Sequence, residues 1–223
     1  MDNPIRTPIV KVMKLDSDIL IIGGGLNGPA LALALAQSGH SVTVIDALPK
    51  ATRKTATFDG RAYALALAST RLLKNIGVWD RLTGHTQPML EIKVTDGRAG
   101  EGPSPFFLHF DHAEIEEGPM GHMVEDRYLR RAFLDVMADE PNITQLNGET
   151  VVAQDVTATG VSVTLASGKT RSARLLVGSD GRASGTAKRA GISRTGWDYG
   201  QTALVCAIQH ELPHNGIAHQ FFM

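Results

Sequence analysis

The sequence predicts an α/β protein built around a Rossmann-like unit of strand, turn, helix and strand. Three observations support this fold class. Ile19–Ile22 is a short apolar run, typical of a parallel strand that is buried on both faces. A glycine-rich turn and an alanine- and leucine-rich helix over Ala30–Gln37 follow it. Val42–Asp46 then forms a second apolar strand, as expected for a parallel sheet covered by helices.

The glycine-rich turn has the spacing of a dinucleotide-binding motif. Gly23 allows a tight turn, Gly25 lets a pyrophosphate approach the backbone, and Gly28 lets the helix pack against the strand. Backbone N–H groups at the start of the helix then face the phosphates. Asp46, at the end of the second strand, is placed to accept hydrogen bonds from both ribose hydroxyls. These four residues predict a nucleotide site.

The same stretch has an alternative interpretation as a membrane span. Residues 19–36 carry no charge over eighteen positions, which is the lower limit for crossing a bilayer. Three consecutive glycines, Asn27 and Pro29 lie in its middle, and no basic flank would orient it. Pro29 is compatible with a helix start because first-turn N–H groups lack helical partners. We therefore favour the strand, turn and helix.

Composition limits the classes of protein that this chain can belong to. Its 223 residues suffice for one large domain or two, and 43% hydrophobic with 20% charged residues is a globular composition. A formal charge of −1 gives no electrostatic attraction to nucleic acid, so no nucleic-acid partner is predicted. The single cysteine, Cys206, excludes an internal disulfide framework and indicates a reducing compartment such as the cytoplasm.

Two further helices are predicted. In Thr70–Asn75 and the residue that follows, Leu72, Leu73 and Ile76 fall at helical spacing and are expected to face the core. Asp126–Ala138 is amphipathic, with its apolar residues on one face. Arginines lie elsewhere on this helix among acids, so we interpret them as a solvated surface rather than a nucleic-acid interface.

The remaining elements are mostly strands. Residues 49–57 are polar and predict a surface loop, while Ala166–Lys169 predicts a hairpin turn. Cys206 falls in an apolar strand, where a buried, unreactive thiol is expected. Asp180 lies in a turn directly after a strand, at the edge where open α/β sheets bind ligands. The predicted strands are 90–96, 106–110, 150–152, 160–165, 174–178 and 204–208.

A histidine-rich segment is a candidate metal site. His109, His112 and His122 lie near several glutamates, but their spacing matches no established ligand pattern. The segment 97–121 is rich in glycine and proline and is better described as a solvated hairpin. No metal is predicted.

Four segments in order resemble the class A flavoprotein aromatic hydroxylases, the single-component family that includes para-hydroxybenzoate hydroxylase. They are Gly23–Asp46, Phe58–Arg61, Val124–Leu129 and Val177–Gly181. The run Asp59-Gly60-Arg61, followed by Tyr63–Ala66 and by Gly77–Trp79, is most similar to the ubiquinone-biosynthesis hydroxylase branch. The resemblance covers nearly the whole chain from Asp16 onward.

The resemblance implies FAD as cofactor and NAD(P)H as co-substrate. Asp46 would bind the ribose of the ADP half, and Val151 would offer backbone contacts near the adenine. Arg61 would lie over the flavin and the pyrophosphate, a role suited to a planar cation that is always charged. Asp180 would belong to the second fingerprint of the family, which serves FAD and NAD(P)H together. Arg127 would lie beside the flavin diphosphate.

The sequence departs from the family pattern at two places. Asp126 stands where this branch commonly has an amide that donates to the diphosphate, so its carboxylate must point away or be compensated by Arg127. Three residues after Ser184 the family usually has arginine, but this chain has Ala187, and its basic pair Lys188–Arg189 is displaced.

The implied reaction is the O₂-dependent hydroxylation of a prenylated phenol on the way to ubiquinone. The flavin carries the difficult chemistry, so no protein residue is predicted to be catalytic. An apolar substrate implies contact with a membrane surface, peripheral to the inner membrane, or with a biosynthetic complex. Two alternatives remain open: another FAD-dependent oxidoreductase such as a prenyl reductase or halogenase, and a non-catalytic nucleotide-binding module.

The expected organisation has two interleaved domains. Residues 17–85 and 122–192 would form the FAD-binding domain, and residues 86–121 and 193–223 part of a mixed-sheet substrate domain. Residues 1–16 are expected to be a flexible tail. The family continues with a further Gly-Asp segment that contacts the flavin, so we expect the sequence to be the amino-terminal portion of a longer enzyme, truncated at its C-terminus.

Overall fold

Four parallel strands lie at the centre of the molecule, and two antiparallel strands extend the same sheet. The computed structural model describes residues 15–98 and 100–222. Residues 1–14 of the expected tail lie outside the described residues, and only residues 15 and 16 lie within them. In spatial order the six strands are β8 (Ile143–Asn147), β2 (Val42–Asp46), β1 (Ser17–Ile22), β11 (Thr170–Gly178), β10 (Gly160–Leu165) and β9 (Val151–Thr157).

The central strand β1 is buried on both faces, which explains its continuous apolar run. Ile19 and Ile21 share a buried cluster with helices α1 (Asn27–Gln37) and α4 (Asp126–Asp139). The residues that alternate with them, Leu20 and Ile22, pack instead against side chains from β9 and β10. Successive side chains of a strand point to opposite faces of the sheet. Because both faces of β1 are covered, every position along it requires an apolar residue.

Two smaller sheets and three short helices complete the fold. One sheet has the order β12 (Ile217–Phe222), β5 (Glu91–Arg98) and β6 (Gly102–Asp111), and the other β3 (Ala62–Ala66), β7 (Gly121–Glu125) and β4 (Thr86–Met89). The helices are α2 (Lys50–Arg53), α3 (Leu67–Asn75) and α5 (Gly185–Arg189). Within the described ranges, no helix has the length and hydropathy needed to cross a bilayer.

The predicted α/β architecture is confirmed, with helices on one face of the parallel sheet, strands β9 and β10 against the other face, and a separate mixed sheet. The first helix begins earlier than expected, at Asn27, with Pro29 in its first turn. The amphipathic helix and the hairpin turn before Lys169 are also confirmed. The boundaries of the two domains stay a prediction.

Two burial predictions are wrong. Cys206 is exposed, and residues 204–208 form no strand, because this apolar segment has no neighbouring strand to pair with among the described residues. Leu72 is 46% exposed, whereas Leu73 is only 5% exposed. Consecutive helical residues point about 100° apart, so the narrow buried face of α3 accommodates Leu73 and Ile76 but not Leu72.

This difference within α3 predicts unequal costs for two matched substitutions. Leu73→Ala should lower the free energy of unfolding by about 2–5 kcal/mol, because it removes buried methyl groups and leaves a cavity. Leu72→Ala should change it by about 0.5 kcal/mol or less. Urea denaturation of both variants measures the two values. Equal losses would contradict the burial described for this helix.

Candidate functional site

A cavity of about 580 Å³ opens where the carboxyl ends of the parallel strands meet. Five of the eight residues predicted as cofactor-binding line it, namely Gly23, Gly25, Asp46, Val151 and Asp180. They come from the loop after β1, the end of β2, the start of β9 and the turn after β11. The strands β1, β2 and β11 are parallel and place their carboxyl ends at one edge, which explains why the residues that end or follow them converge there. Val151 reaches the cavity differently, because β9 packs against the face of β1.

The three motif glycines differ in how closely the surrounding protein encloses them. Gly23 has a φ of +108°, and a Cβ there would overlap the carbonyl of Ser179 in the neighbouring turn. A Cβ on Gly28 would overlap the carbonyl oxygen of Gly23, so this glycine permits close packing of α1. Gly25 differs, because a Cβ at this position would meet no atom within 4 Å. The fold therefore needs glycine at 23 and 28, whereas Gly25 leaves open space beside the cavity.

Asp46 holds the glycine loop as well as bordering the cavity. Its Oδ2 accepts a hydrogen bond from the Gly24 N–H at 2.5 Å, and its Oδ1 accepts one from the Leu48 N–H at 2.8 Å. An ionised carboxylate has about four acceptor positions, so it can accept further hydrogen bonds from a ligand.

Asp180 stabilises the second turn of the cavity. The Ser184 hydroxyl donates to one carboxylate oxygen, and the N–H and hydroxyl of Thr186 donate to the other at 3.0 Å each. Burial raises the pKa of Asp180, but these hydrogen bonds outweigh burial and hold the pKa below its usual value. The carboxylate thus remains ionised and anchors the start of α5.

Arg189 also lines the cavity, although it was not among the predicted site residues. Its Nη1 donates to the Val151 carbonyl at 3.2 Å, and its Nε donates to the Gln154 side chain at 3.2 Å. The side chain therefore folds back from the last turn of α5 onto β9. The family usually has an arginine at position 187, where this chain has alanine. Arg189, two residues later, nevertheless reaches the wall of the cavity.

Arg61 and Arg127 do not line this cavity. Arg127 donates from Nε to Glu125 at 2.6 Å and from Nη1 to the Ala56 carbonyl at 2.9 Å. Arg61 contacts Asp59 at 2.6 Å. Both arginines lie at the adjoining ends of β3 and β7, and their roles toward a cofactor stay predictions.

Asp126 lies in a buried charge cluster. It is 1% exposed, and its Oδ2 lies 3.0 Å from Arg61 and 2.5 Å from Arg130. The Tyr63 hydroxyl donates to Oδ1 at 3.0 Å. The compensation predicted from Arg127 is wrong, because the guanidinium groups beside Asp126 are those of Arg61 and Arg130, while Arg127 pairs with Glu125. The alternative that the Asp126 carboxylate points away from the diphosphate stays a prediction.

The nearby Asp59 belongs to the same cluster. Hydrogen bonds from the side chain and backbone of Arg61 lower the pKa of Asp59 to about 2. Both acids in the cluster are thereby matched by guanidinium groups, and the negative charge of Asp126 is neutralised locally.

Arg53 is the residue that the sequence analysis missed most clearly. It lies in the segment predicted as a polar surface loop, yet it ends α2 and is only 4% exposed. Its guanidinium donates to the Gly24 carbonyl and to the Asn147 side chain. The local sequence around it is polar throughout and has no apolar periodicity, so nothing in the pattern indicates burial.

A parallel sheet with a glycine loop, an acid ending the second strand and a cavity between them defines a dinucleotide-binding protein. The chain belongs to the FAD-binding domain family, whose model matches residues 16–217. FAD is accordingly the cofactor of the family to which this site belongs.

Two curated relatives are similar over most of the chain. Ubiquinone hydroxylase UbiL of Rhodospirillum rubrum is 47% identical over all 223 residues, which cover 51% of that relative. The 3-demethoxyubiquinol 3-hydroxylase of Escherichia coli is 32% identical over 87% of this chain and 49% of its own length. The chain thus spans about half the length of the curated relatives it matches.

A solved structure supports the fold independently. A crystal structure of a variant of PqsL from Pseudomonas aeruginosa is 25% identical and superposes with a TM-score of 0.67. The match covers 81% of this chain and 47% of PqsL. The likeness extends the family assignment from sequence to three-dimensional arrangement.

The buried cluster predicts a large penalty for removing Asp126. Asp126→Ala should lower the free energy of unfolding by about 3–5 kcal/mol, because Arg130 would be left largely buried without its closest partner. The control Asp139→Ala removes an exposed pair with Arg81 and should cost less than about 1 kcal/mol. Chemical denaturation compares them, and similar losses would contradict a buried, paired Asp126.

The lowered pKa of Asp180 predicts a pH-dependent contribution to stability. A carboxyl whose pKa is lower in the folded state stabilises fully above its unfolded pKa of about 3.9, and loses this contribution as pH falls through the folded value. Asp180→Asn should cost about 2 kcal/mol at pH 7. The difference from the parent should shrink below about pH 4. A difference that stays constant in denaturation experiments from pH 7 to pH 3 would refute this assignment.

Proposed function

We propose that this chain binds FAD in the 580 Å³ cavity and forms the cofactor-binding portion of an FAD-dependent monooxygenase. The observation that carries the proposal is the open space beside Gly25, bordered by Asp46 and by the second turn at Asp180. A diphosphate can approach a backbone that has no side chain, and the loop precedes the N-terminus of α1. The described residues therefore fit the ADP half of the cofactor.

Each predicted residue has a proposed role in holding the cofactor. Asp46 would accept from the ribose hydroxyls with the acceptor positions that its two backbone contacts leave. Val151 would border the adenine, where its carbonyl is already held by Arg189. Gly23 and Gly28 act through the loop geometry, because both are tightly enclosed by neighbouring backbone.

Arg61 and Arg127 would lie toward the flavin end. Their support is indirect, since both belong to the β3 and β7 region beside the buried Asp126 cluster. The ion pair with Asp126 limits the side-chain freedom of Arg61, which reduces the entropy lost when a ligand binds. Asp180 would shape the cavity by fixing its turn.

The proposed reaction is the hydroxylation of a prenylated phenol in ubiquinone biosynthesis, with NAD(P)H and O₂ as co-substrates. The named activities of the UbiL and Escherichia coli relatives support this over prenyl reduction or halogenation. The chemistry that the cofactor supplies is the activation of O₂ by a reduced flavin. This chain's residues would bind and orient the cofactor, and no residue is assigned as an acid, base or nucleophile.

The proposal extends to organisation and location. Residues 17–85 and 122–192 would act as the FAD-binding domain, and residues 86–121 and 193–223 as part of the substrate domain. An apolar prenylated substrate would require contact with a membrane surface or with a biosynthetic complex in the cytoplasm.

The reaction can be tested directly. The FAD-loaded protein is given NADH or NADPH and a prenylated phenol under isotopically labelled O₂, and the product is analysed by mass spectrometry. Label in a new hydroxyl group supports the proposal. Reduction of a prenyl double bond without label would identify a prenyl reductase instead.

Gly25→Val provides the sharpest test of the cofactor site. A Cβ at this position would meet no protein atom within 4 Å, so the variant should fold, but the valine side chain would occupy the space of the diphosphate and ADP affinity should fall about tenfold or more. Gly196→Val is the matched control, because Gly196 also has open space and lies outside the cavity. Calorimetric titration with ADP measures both. Retention of parental ADP affinity by a folded Gly25→Val protein would rule out this loop as the diphosphate site.

A further inference from the structure

A buried arginine lies directly behind the glycine loop and has no role in the site described above. The Nη1 of Arg53 donates to the Asn147 Oδ1 at 2.6 Å, and its Nη2 donates to the Gly24 carbonyl. Burial lowers the pKa of Arg53 more than the charge of Asp46 raises it. Among the described residues, no carboxylate lies within ion-pair distance of this guanidinium.

Burying a charged guanidinium against neutral acceptors costs free energy, so a buried arginine at this position must provide something that a neutral side chain cannot. The planar guanidinium reaches two acceptors that belong to different elements, the loop after β1 and the end of β8. Arginine can hold both at fixed angles, which the single ammonium group of lysine cannot do. The residue therefore joins α2, β8 and the glycine loop at one point.

The contact with Gly24 determines where the next amide points. The peptide between Gly24 and Gly25 is trans, so its carbonyl and its N–H point in opposite directions. Because the carbonyl faces Arg53, the N–H of Gly25 faces away from Arg53. Gly25 borders the cavity, and its N–H has no protein acceptor within the part of the chain that the structure describes.

The other side of Gly24 is fixed by an opposite charge. Its own N–H donates to Asp46 at 2.5 Å, while its carbonyl accepts from Arg53. Two successive peptide units are thus oriented by an acid and a base that are distant in sequence. Left unrestrained, a run of three glycines would populate many backbone conformations.

We propose that Arg53 is a positioning residue that orients the Gly24–Gly25 peptide so that the Gly25 N–H donates to the diphosphate of a bound nucleotide. Asn147 assists by holding the guanidinium in place. This inference rests on the proposed function of the cavity and adds to it the residue that prepares the loop. Arg53 itself contacts the loop from behind and is not assigned a contact with the nucleotide.

The test compares ligands with and without phosphates. In Arg53→Met, ADP affinity should fall about tenfold, whereas adenosine affinity should stay within about twofold of the parent. Lys50→Met is the matched control, because Lys50 is an exposed cation on the same short helix. It should leave both affinities unchanged. Calorimetric titration of ADP and adenosine gives the ratio, and circular dichroism verifies folding.

Two further variants separate positioning from charge. Arg53→Lys keeps the positive charge but loses the two-acceptor geometry, so it should retain most of the ADP defect. Asn147→Ala should weaken ADP binding about threefold, and the double variant Arg53→Met/Asn147→Ala should bind ADP no more weakly than Arg53→Met alone. Full ADP affinity in Arg53→Lys, or losses that multiply in the double variant, would overturn the positioning role.

The remaining outcomes are also decisive. If Arg53→Met weakens adenosine and ADP equally, Arg53 is merely structural and the inference is wrong. If Arg53→Met does not fold, Arg53→Lys and Asn147→Ala decide, and parental ADP affinity in either one overturns the inference. If the parent protein binds neither ADP nor FAD, the proposed function fails and the inference fails with it. Parental ADP binding with an unaffected Arg53→Met rejects the inference alone.

Discussion

The close approach of backbone to backbone at the carboxyl end of β1 is the constraint on which the site depends. A side chain at Gly23 would overlap the Ser179 carbonyl, and one at Gly28 would overlap Gly23 itself. These contacts bring the first turn against the turn after β11, so that the two loops form one wall. The cavity exists because this wall has almost no side chains, which leaves amide groups rather than methyl groups facing the open space.

The features that the sequence predicted are those in which a local pattern has a single physical explanation. The apolar run of β1, the glycine spacing and the acid at position 46 each follow from burial on two faces, steric exclusion or the end of a strand. Gly23, Gly25, Asp46, Val151 and Asp180 converge on one cavity as a result. Such patterns require only neighbouring residues in the chain, so they can be recognised without the tertiary structure.

What the sequence could not predict is which polar residues become buried. Arg53 and Asp126 are each surrounded by other polar residues in sequence, yet both are almost fully enclosed. Arg53 contacts Asn147, which lies 94 positions away in sequence, and Asp126 contacts Tyr63, which lies 63 positions away. No periodicity in the sequence records such contacts. Leu72 and Cys206 are the reverse case, because hydrophobicity alone predicts burial but the fold offers them no packing partner.

The distribution of these charges explains how an acid-rich site can be compatible with an anionic ligand. Asp46 is turned toward backbone N–H groups, Asp180 toward hydroxyl and amide donors, and Asp126 toward two guanidinium groups. The charge of each carboxylate is therefore stabilised by donors within the protein, and these contacts fix the orientation of the neighbouring loop or helix. Arg53 lies behind the loop, and its positive charge is matched only by neutral acceptors at contact distance. The groups left free to face an anionic ligand would therefore be backbone N–H groups of the glycine loop, which suit a diphosphate even though the chain as a whole is slightly acidic.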